Sequence, residues 1–164
     1  MAEHFEIAEG DKNKKYDLLL KQIKALVECE KDLTAVLANA SSMIHFTFGF
    51  FWTGFYVVKN KTLIVGPFQG PVACNRIQYG KGVCGTAWKE GRSIIVADVE
   101  HFPGHIACSD DSKSEIVVPI KNGNEVVAVI DIDSDETETF DQTDALWIER
   151  IANTLSPLFI QESQ

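Results

Sequence analysis

Positive charge is in short supply in this sequence. Its 164 residues include 15 lysine and arginine residues against 24 aspartate and glutamate residues, a formal net charge of −9 at pH 7. A surface this acidic repels phosphate groups, so the composition argues against nucleic acids and anionic membranes as partners. Long apolar runs are also missing, and none approaches the ~20 residues that cross a bilayer.

Proline and glycine, at 5 and 11 residues, are too dispersed to form an interdomain linker. With 45% hydrophobic residues, the chain can build a full core. These two features predict one domain over residues 1–164, with residues 1–13 loosely ordered. The N-terminal stretch "MAEHFEIAEGDKNKK" has no apolar segment behind a basic start, which predicts a cytoplasmic protein.

Amphipathic patterns near both ends of the chain predict helices. One covers Tyr16–Glu28, a second begins after Asp32 as N-cap, and a third near the C-terminus begins after Asp141. Between them lie aromatic and β-branched runs, and Asn122-Gly123 separates two of these as in a hairpin. The pattern predicts the α+β class: a mostly antiparallel sheet flanked by N-terminal and C-terminal helices.

The chain has only four cysteines, and three of them stand near turn-forming or polar residues: Cys74, Cys84 and Cys108. Three thiols outside the predicted core strands, in a protein without a secreted disulfide framework, indicate redox or metal chemistry. Cys108 also falls in a long loop over 99–114, and loops of that length are often functional. Cys29 lies in the first predicted helix and is expected to be an inert core thiol.

Zinc is one alternative for these thiols. His101 and His105 could join Cys74, Cys84 and Cys108 in a four-ligand shell. However, no two of these cysteines are close enough in sequence to form the pair that usually anchors such a site.

Three acidic residues are expected to converge at one end of the predicted hairpin. Asp131 and Asp133 share one face of its second strand, roughly 6–7 Å apart, and pairing brings Glu115 alongside them. They could be a solvated strand end, or the floor of a pocket that grips a cation and donates a proton. Crowded carboxylates raise at least one pKa, which would make a general acid available near neutral pH.

Two aromatic residues of the first predicted strand also have two possible roles. Trp52 and Tyr56 alternate with Gly54 on one side of that strand. They either belong to the core or form the wall of a pocket.

Five blocks of the sequence carry a family resemblance: "FWTGFYVV", "LIVGPFQGPVAC", "GKGVCGTA", "FPGHIACSDDSKSEIVVPI" and "VIDIDS". In this order and spacing they resemble the free methionine-(R)-sulfoxide reductases, enzymes with a GAF-type fold. The resemblance runs from Trp52 to Ser134 and implies that Cys108 is the catalytic cysteine and Cys74 the thiol that resolves its sulfenic acid as a disulfide. Cys84 corresponds to the third cysteine of the family and is counted with the catalytic group.

The same resemblance implies a substrate site and partners. Glu115, Asp131 and Asp133 match the acidic residues of the substrate site, with Asp133 as a catalytic acid, and Trp52 and Tyr56 match its aromatic residues. Thioredoxin is expected as the external reductant, with no cofactor and no metal, and a homodimer is compatible with such domains. The rival interpretations are a small-ligand or redox-sensing GAF module and a structural zinc protein.

Overall fold

The structure of the protein is a computed structural model that describes residues 4–161. Its helices are α1 Lys12–Cys29, α2 Leu33–Phe48, α3 Gly82–Glu90, α4 Gln142–Leu155 and α5 Leu158–Gln161. Its strands are β1 Trp52–Lys59, β2 Thr62–Gln69, β3 Arg76–Ile77, β4 Ile94–Val96, β5 Ser114–Asn122 and β6 Glu125–Ser134. Among the described residues no helix combines the length and the apolarity needed to cross a membrane.

The strands form one sheet in the order β3-β2-β1-β6-β5-β4, and every neighbouring pair is antiparallel. Strands β1 and β6 occupy the centre, so residues on either face of β6 are covered. The predicted α+β class with a mostly antiparallel sheet is confirmed.

Local signals fix where the helices begin. The Asp32 side chain accepts a hydrogen bond from the backbone N–H of Ala35, and Asp141 and Asp144 form a reciprocal capping box at α4. Both predicted caps are confirmed. Helix α1 starts earlier than its apolar stripe suggests, because the Asp11 side chain accepts a hydrogen bond from the N–H of Lys14 and caps the helix at Lys12.

The predicted hairpin is the β5–β6 pair. Its register closes with Asn122 opposite Glu125, and Gly123 takes φ +62°, a left-handed conformation that costs glycine little. The register set by this turn would place Glu115 opposite Ile132. A β-bulge between Ile120 and Lys121 shifts the pairing by one residue, so that Glu115 pairs with Asp133 at the far end of the hairpin.

The two faces of the sheet carry different layers. One face packs against α1, α2 and α4 through a large apolar cluster that includes the fully buried Tyr16 and Ile130. The other face packs against α3 and the loops through a smaller cluster that contains Trp52, Tyr56 and Cys84. The residues predicted to form the functional site are concentrated on this second face.

The prediction for Cys29 as a core thiol is wrong. It is the last residue of α1 and is exposed, because the apolar stripe of the helix has its last buried residue at Leu26. The expected loose order of residues 1–13 falls partly on residues 1–3, which lie outside the described part of the chain. Within it, Phe5 packs against the helix-side core, and Glu6 exchanges two backbone–side-chain hydrogen bonds with Gln22.

Candidate active site

A pocket opens on the α3 side of the sheet. It is bounded by β1, by the segment after β2, by the start of α3, by the loop at 102–113, and by the adjoining ends of β5 and β6. It leaves about 50 Å³ for the centres of water-sized molecules. Seven of the eight predicted site residues line it: Trp52, Tyr56, Cys84, Cys108, Glu115, Asp131 and Asp133. The eighth, Cys74, is next to the lining residue Ala73.

Cys74 and Cys108 are joined in a disulfide, with their Cα atoms 5.3 Å apart and a sequence separation of 34. Cys108 is exposed in its loop and Cys74 is half-buried. This bond links the segment after β2 to the loop over the pocket.

The disulfide also breaks up the predicted zinc shell. With Cys74 and Cys108 bonded to each other, neither can ligate a metal. His101 is exposed and lies 3.4 Å from Asp98, outside the pocket. The five-residue set proposed from the sequence is therefore not assembled in this state of the protein.

The three acids come together as the hairpin register requires. Glu115 pairs with Asp133 across β5 and β6, and Asp131 lies two residues further along the same face of β6. Glu115 and Asp131 are each only 6% exposed. Asp133 is half-buried, and its carboxylate accepts a 2.6 Å hydrogen bond from the hydroxyl of Ser112.

Burial is the largest influence on these carboxyl groups. It raises the pKa of Glu115 to about 8, with a further increase from Asp133 and an opposing hydrogen bond to Asp131. Burial and then the charge of Glu115 raise the pKa of Asp131 well above its usual range. Burial and the charge of Asp131 likewise raise the pKa of Asp133, against the hydrogen bond from Ser112. The cluster therefore retains protons near neutral pH.

Cys84 faces the same acids from α3. It is 3% exposed, and its sulfur lies 4.0 Å from a carboxylate oxygen of Glu115. Burial raises the pKa of its thiol, and the charges of Asp131 and Glu115 add to the effect. Cys84 is therefore a protonated thiol, poorly suited to act as a nucleophile.

His105 enters the pocket from the loop before Cys108. Its Nε2 lies 3.7 Å from a carboxylate oxygen of Glu115. Burial lowers the pKa of its imidazole, while the charge of Asp131 opposes that shift. The sequence named His105 only as a zinc ligand, and its place beside Glu115 could be seen only in the folded loop.

Trp52 forms one wall of the pocket. Its ring stacks on Phe68 and Tyr56, with centroid distances of 5.1 and 6.0 Å, and its indole N–H donates to the carbonyl of Pro71. Gly54 makes room for it, because a Cβ there would come within 2.6 Å of the indole. The alternation of Trp52, Gly54 and Tyr56 thus creates a flat aromatic surface in the pocket.

Tyr56 has a second contact that the sequence did not reveal. Its hydroxyl donates a 2.9 Å hydrogen bond to the backbone carbonyl of Cys74. It thereby ties the cysteine segment to the central strand β1. Ser112 was also missed, because one serine in a polar loop carries no pattern that marks it as a partner of Asp133.

The fold and the position of the pocket define a class of protein, the GAF domains. Residues 31–159 match the GAF domain family. The chain is also 47% identical to GAF domain-containing protein A of Dictyostelium discoideum, over 94% of this chain and 99% of that protein.

Other relatives indicate a smaller group within the GAF domains. The chain is 41% identical to the free methionine-R-sulfoxide reductase of Saccharomyces cerevisiae, over 94% of this chain and 92% of that protein. The X-ray structure of free methionine-R-sulfoxide reductase from Neisseria meningitidis, in complex with its substrate, superposes with a TM-score of 0.93 at 43% identity, covering 96% of this chain and 95% of that one. The chain belongs to the GAF domain family and, within it, to the free methionine-R-sulfoxide reductases.

Proposed function

We propose that this protein reduces free methionine-R-sulfoxide to methionine by thiol chemistry. The observation that carries the proposal is the pocket itself, in which a bonded cysteine pair and a group of buried, proton-retaining carboxyls meet. The names of the yeast and Neisseria relatives, both free methionine-R-sulfoxide reductases, agree with it. The reduced protein is the starting form, and the disulfide state is the form after one turnover.

In the first step, the sulfur of Cys108 attacks the sulfur of the sulfoxide. The substrate oxygen receives a proton and passes to Cys108 as a hydroxyl, so that methionine leaves and Cys108 becomes a sulfenic acid. In the second step, the thiol of Cys74 displaces that hydroxyl as water, and the Cys74–Cys108 disulfide forms. Two electrons pass from the thiol pair to the sulfoxide.

Cys108 takes the attacking role because it is exposed on the pocket loop, whereas Cys84 is buried with a raised pKa. The hydrogen bond from Tyr56 to the carbonyl of Cys74 keeps the resolving thiol close to the mouth of the pocket. Cys84 has no bond to make or break in this sequence and contributes to the pocket wall.

Proton delivery falls to the acid cluster, and Asp133 is the proposed donor. Its raised pKa leaves a proton available near neutral pH, and Ser112 orients its carboxyl group. A protonated acid also removes a conflict, because neutral carboxyls do not oppose formation of the nearby Cys108 thiolate as charged ones would.

Recognition of the free amino acid follows from the same pocket. The positive charge of the substrate's α-ammonium group favours ionisation of Glu115 or Asp131 on binding, and the resulting carboxylate holds that group. Peptide-bonded methionine lacks the α-ammonium group. The stacked ring of Trp52 supplies an apolar wall for the methyl group. Together these features select a small zwitterion with an apolar end.

Recycling requires a dithiol reductant, because the disulfide has to be opened by thiol–disulfide exchange. Thioredoxin is the proposed reductant, and the exposed residue Cys108 is the part of the disulfide that it can approach. The reaction as written draws its electrons from thiols and needs no bound cofactor. Action in the cytoplasm and as a homodimer stay predictions.

A stereospecific assay tests the proposal. The reduced protein is given the R and S sulfoxides of free methionine and an R-sulfoxide within a peptide, with thioredoxin for recycling, and methionine release is measured. We expect turnover of the free R form alone. No release from the free R-sulfoxide, combined with tight binding of another small ligand, would instead favour a sensing GAF module.

A further inference from the structure

One side-chain oxygen of Asp131 is buried without a hydrogen-bond partner. Its Oδ1 is the one buried side-chain nitrogen or oxygen atom without a hydrogen-bond partner among residues 4–161. The residue is 6% exposed and lines the pocket. A buried polar atom without a partner is costly, so an occupant that offers positive charge at this point would be favoured.

Two further potential ligands lie beside Asp131. One ligand atom from each of Cys84, Glu115 and Asp131 lies within 4.8 Å of the other two, and all three residues are buried. A thiol and two carboxyls therefore converge from α3, β5 and β6. His105, from the pocket loop, lies next to this group, with its Nε2 3.7 Å from a carboxylate oxygen of Glu115.

This mixture of donors selects a type of ion. Thiol and imidazole ligands favour zinc-like cations, whereas magnesium and calcium prefer oxygen alone. Ligands around tetrahedral zinc stand roughly 3.5 Å apart, so zinc binding has to bring these three ligand atoms about 1 Å closer together. No lysine or arginine lines the pocket in the described part of the chain, so no fixed positive charge there repels an entering cation.

We propose that Cys84, Glu115 and Asp131, with His105 as a fourth ligand, bind one zinc-like divalent cation in this pocket. On binding, the thiol of Cys84 and any protonated carboxyl of Glu115 and Asp131 give their protons to solvent, and the sulfur and the carboxylate oxygens bond to the metal. No electron is transferred. Because the metal occupies the acids to which the sulfoxide is assigned, it inhibits reduction in competition with the substrate, a consequence that rests on the proposed function.

The disulfide state offers a clean test of binding, since Cys74 and Cys108 cannot ligate and the free thiols are Cys29 and Cys84. Oxidised protein is titrated with Zn²⁺ by calorimetry and with Co²⁺ by absorption, where a thiolate–cobalt band reports sulfur ligation. We expect one ion per chain. Cys84→Ser should remove the band and weaken zinc binding by at least about tenfold, and Asp131→Asn should weaken it similarly.

Cys29→Ser is the matched control, because it removes the exposed thiol and should leave the band and the affinity unchanged. Absence of binding, or a band that survives in Cys84→Ser and vanishes in Cys29→Ser, would overturn the proposal. Near-ultraviolet dichroism checks that each variant is folded. Methionine release assayed over a zinc series separates the two claims: zinc bound by an inactive protein rejects only the reductase, and activity without zinc binding rejects only the metal site.

Discussion

The two faces of the central strand β6 meet very different surroundings. Ala128, Ile130 and Ile132 point into the helix-side core, where each is 0% exposed among apolar neighbours. Asp131 and Asp133 point the other way, into a pocket that they share with Glu115. One strand thus contributes to a dry core and an acidic pocket through simple alternation of its side chains.

The difference shows how stability and function are divided in this molecule. The helix side is apolar and closed, so it supplies hydrophobic stabilisation. The α3 side has buried carboxyl groups and, in Asp131 Oδ1, a buried oxygen without a hydrogen-bond partner. These features lower the stability of the fold and supply groups for the reaction. Substitutions on the two faces are therefore expected to have opposite consequences.

The largest effect is expected at the attacking thiol. Cys108→Ser should lower turnover of the free R-sulfoxide by roughly a thousandfold or more, because a hydroxyl is far less nucleophilic than a thiolate. Its melting temperature under reducing conditions should stay close to the parent value. Cys29→Ser, at an exposed thiol remote from the pocket, is the control and should be fully active. Substantial turnover by Cys108→Ser would remove the residue from its role.

Cys74→Ser separates the two chemical steps. Without a resolving thiol, the variant should release one methionine per enzyme and then stop cycling with thioredoxin, because Cys108 stays as its sulfenic acid. Single-turnover methionine release and trapping of the sulfenic acid measure this. Normal steady-state cycling would contradict the assignment.

Asp133→Asn tests the proton donor. We expect single-turnover reduction to slow by about 10²–10⁴-fold, the usual contribution of a general acid. Ser112→Ala removes the hydroxyl that orients Asp133 and should have a smaller effect of the same kind. An unchanged rate in Asp133→Asn would assign the proton to Glu115 or Asp131.

A pair of neighbouring substitutions tests the comparison of the two faces directly. Ile130→Ala should cost about 2–5 kcal/mol of unfolding free energy through the lost burial and the cavity, while the folded fraction keeps its activity. Asp131→Asn should slow reduction and leave the unfolding free energy equal or higher, because the amide carries no charge to bury. Denaturant unfolding and methionine release measure both. The same loss of unfolding free energy in the two variants would show that stability and function are not divided between the two faces of the sheet.

The last prediction concerns the pH dependence of stability. Folding raises the pKa of Glu115 from 4.5 to about 8, so the folded state holds a proton that the unfolded state releases. This contribution is complete below pH 4.5 and is lost as the pH rises towards 8, at up to ~1.4 kcal/mol per pH unit. Glu115→Gln should flatten the fall of the melting temperature between pH 5 and 8. A slope equal to the parent's would mean that Glu115 is ionised in the folded protein.

Much of this arrangement was predictable, because it depends on local signals. The caps at Asp32 and Asp141 and the Asn122-Gly123 turn placed the helices and the hairpin. Alternation along the second strand then predicted that Asp131 and Asp133 share one face. The β-bulge between Ile120 and Lys121, which brings Glu115 to that face, has no signal in the pattern. The exposure of Cys29 was mispredicted, since the periodic pattern does not show where the apolar stripe ends at the helix terminus.

The sequence alone determined the main helices, the hairpin turn and the residues able to carry thiol chemistry, because these follow from spacing and short-range hydrogen bonds. Only the tertiary structure decided that Tyr56 would hold the carbonyl of Cys74, that Cys84 and His105 would face Glu115, and that one oxygen of Asp131 would stay unpaired. Those contacts join segments that are distant in sequence. They depend on the path that each loop takes across the sheet, and no periodic pattern in the sequence encodes that path.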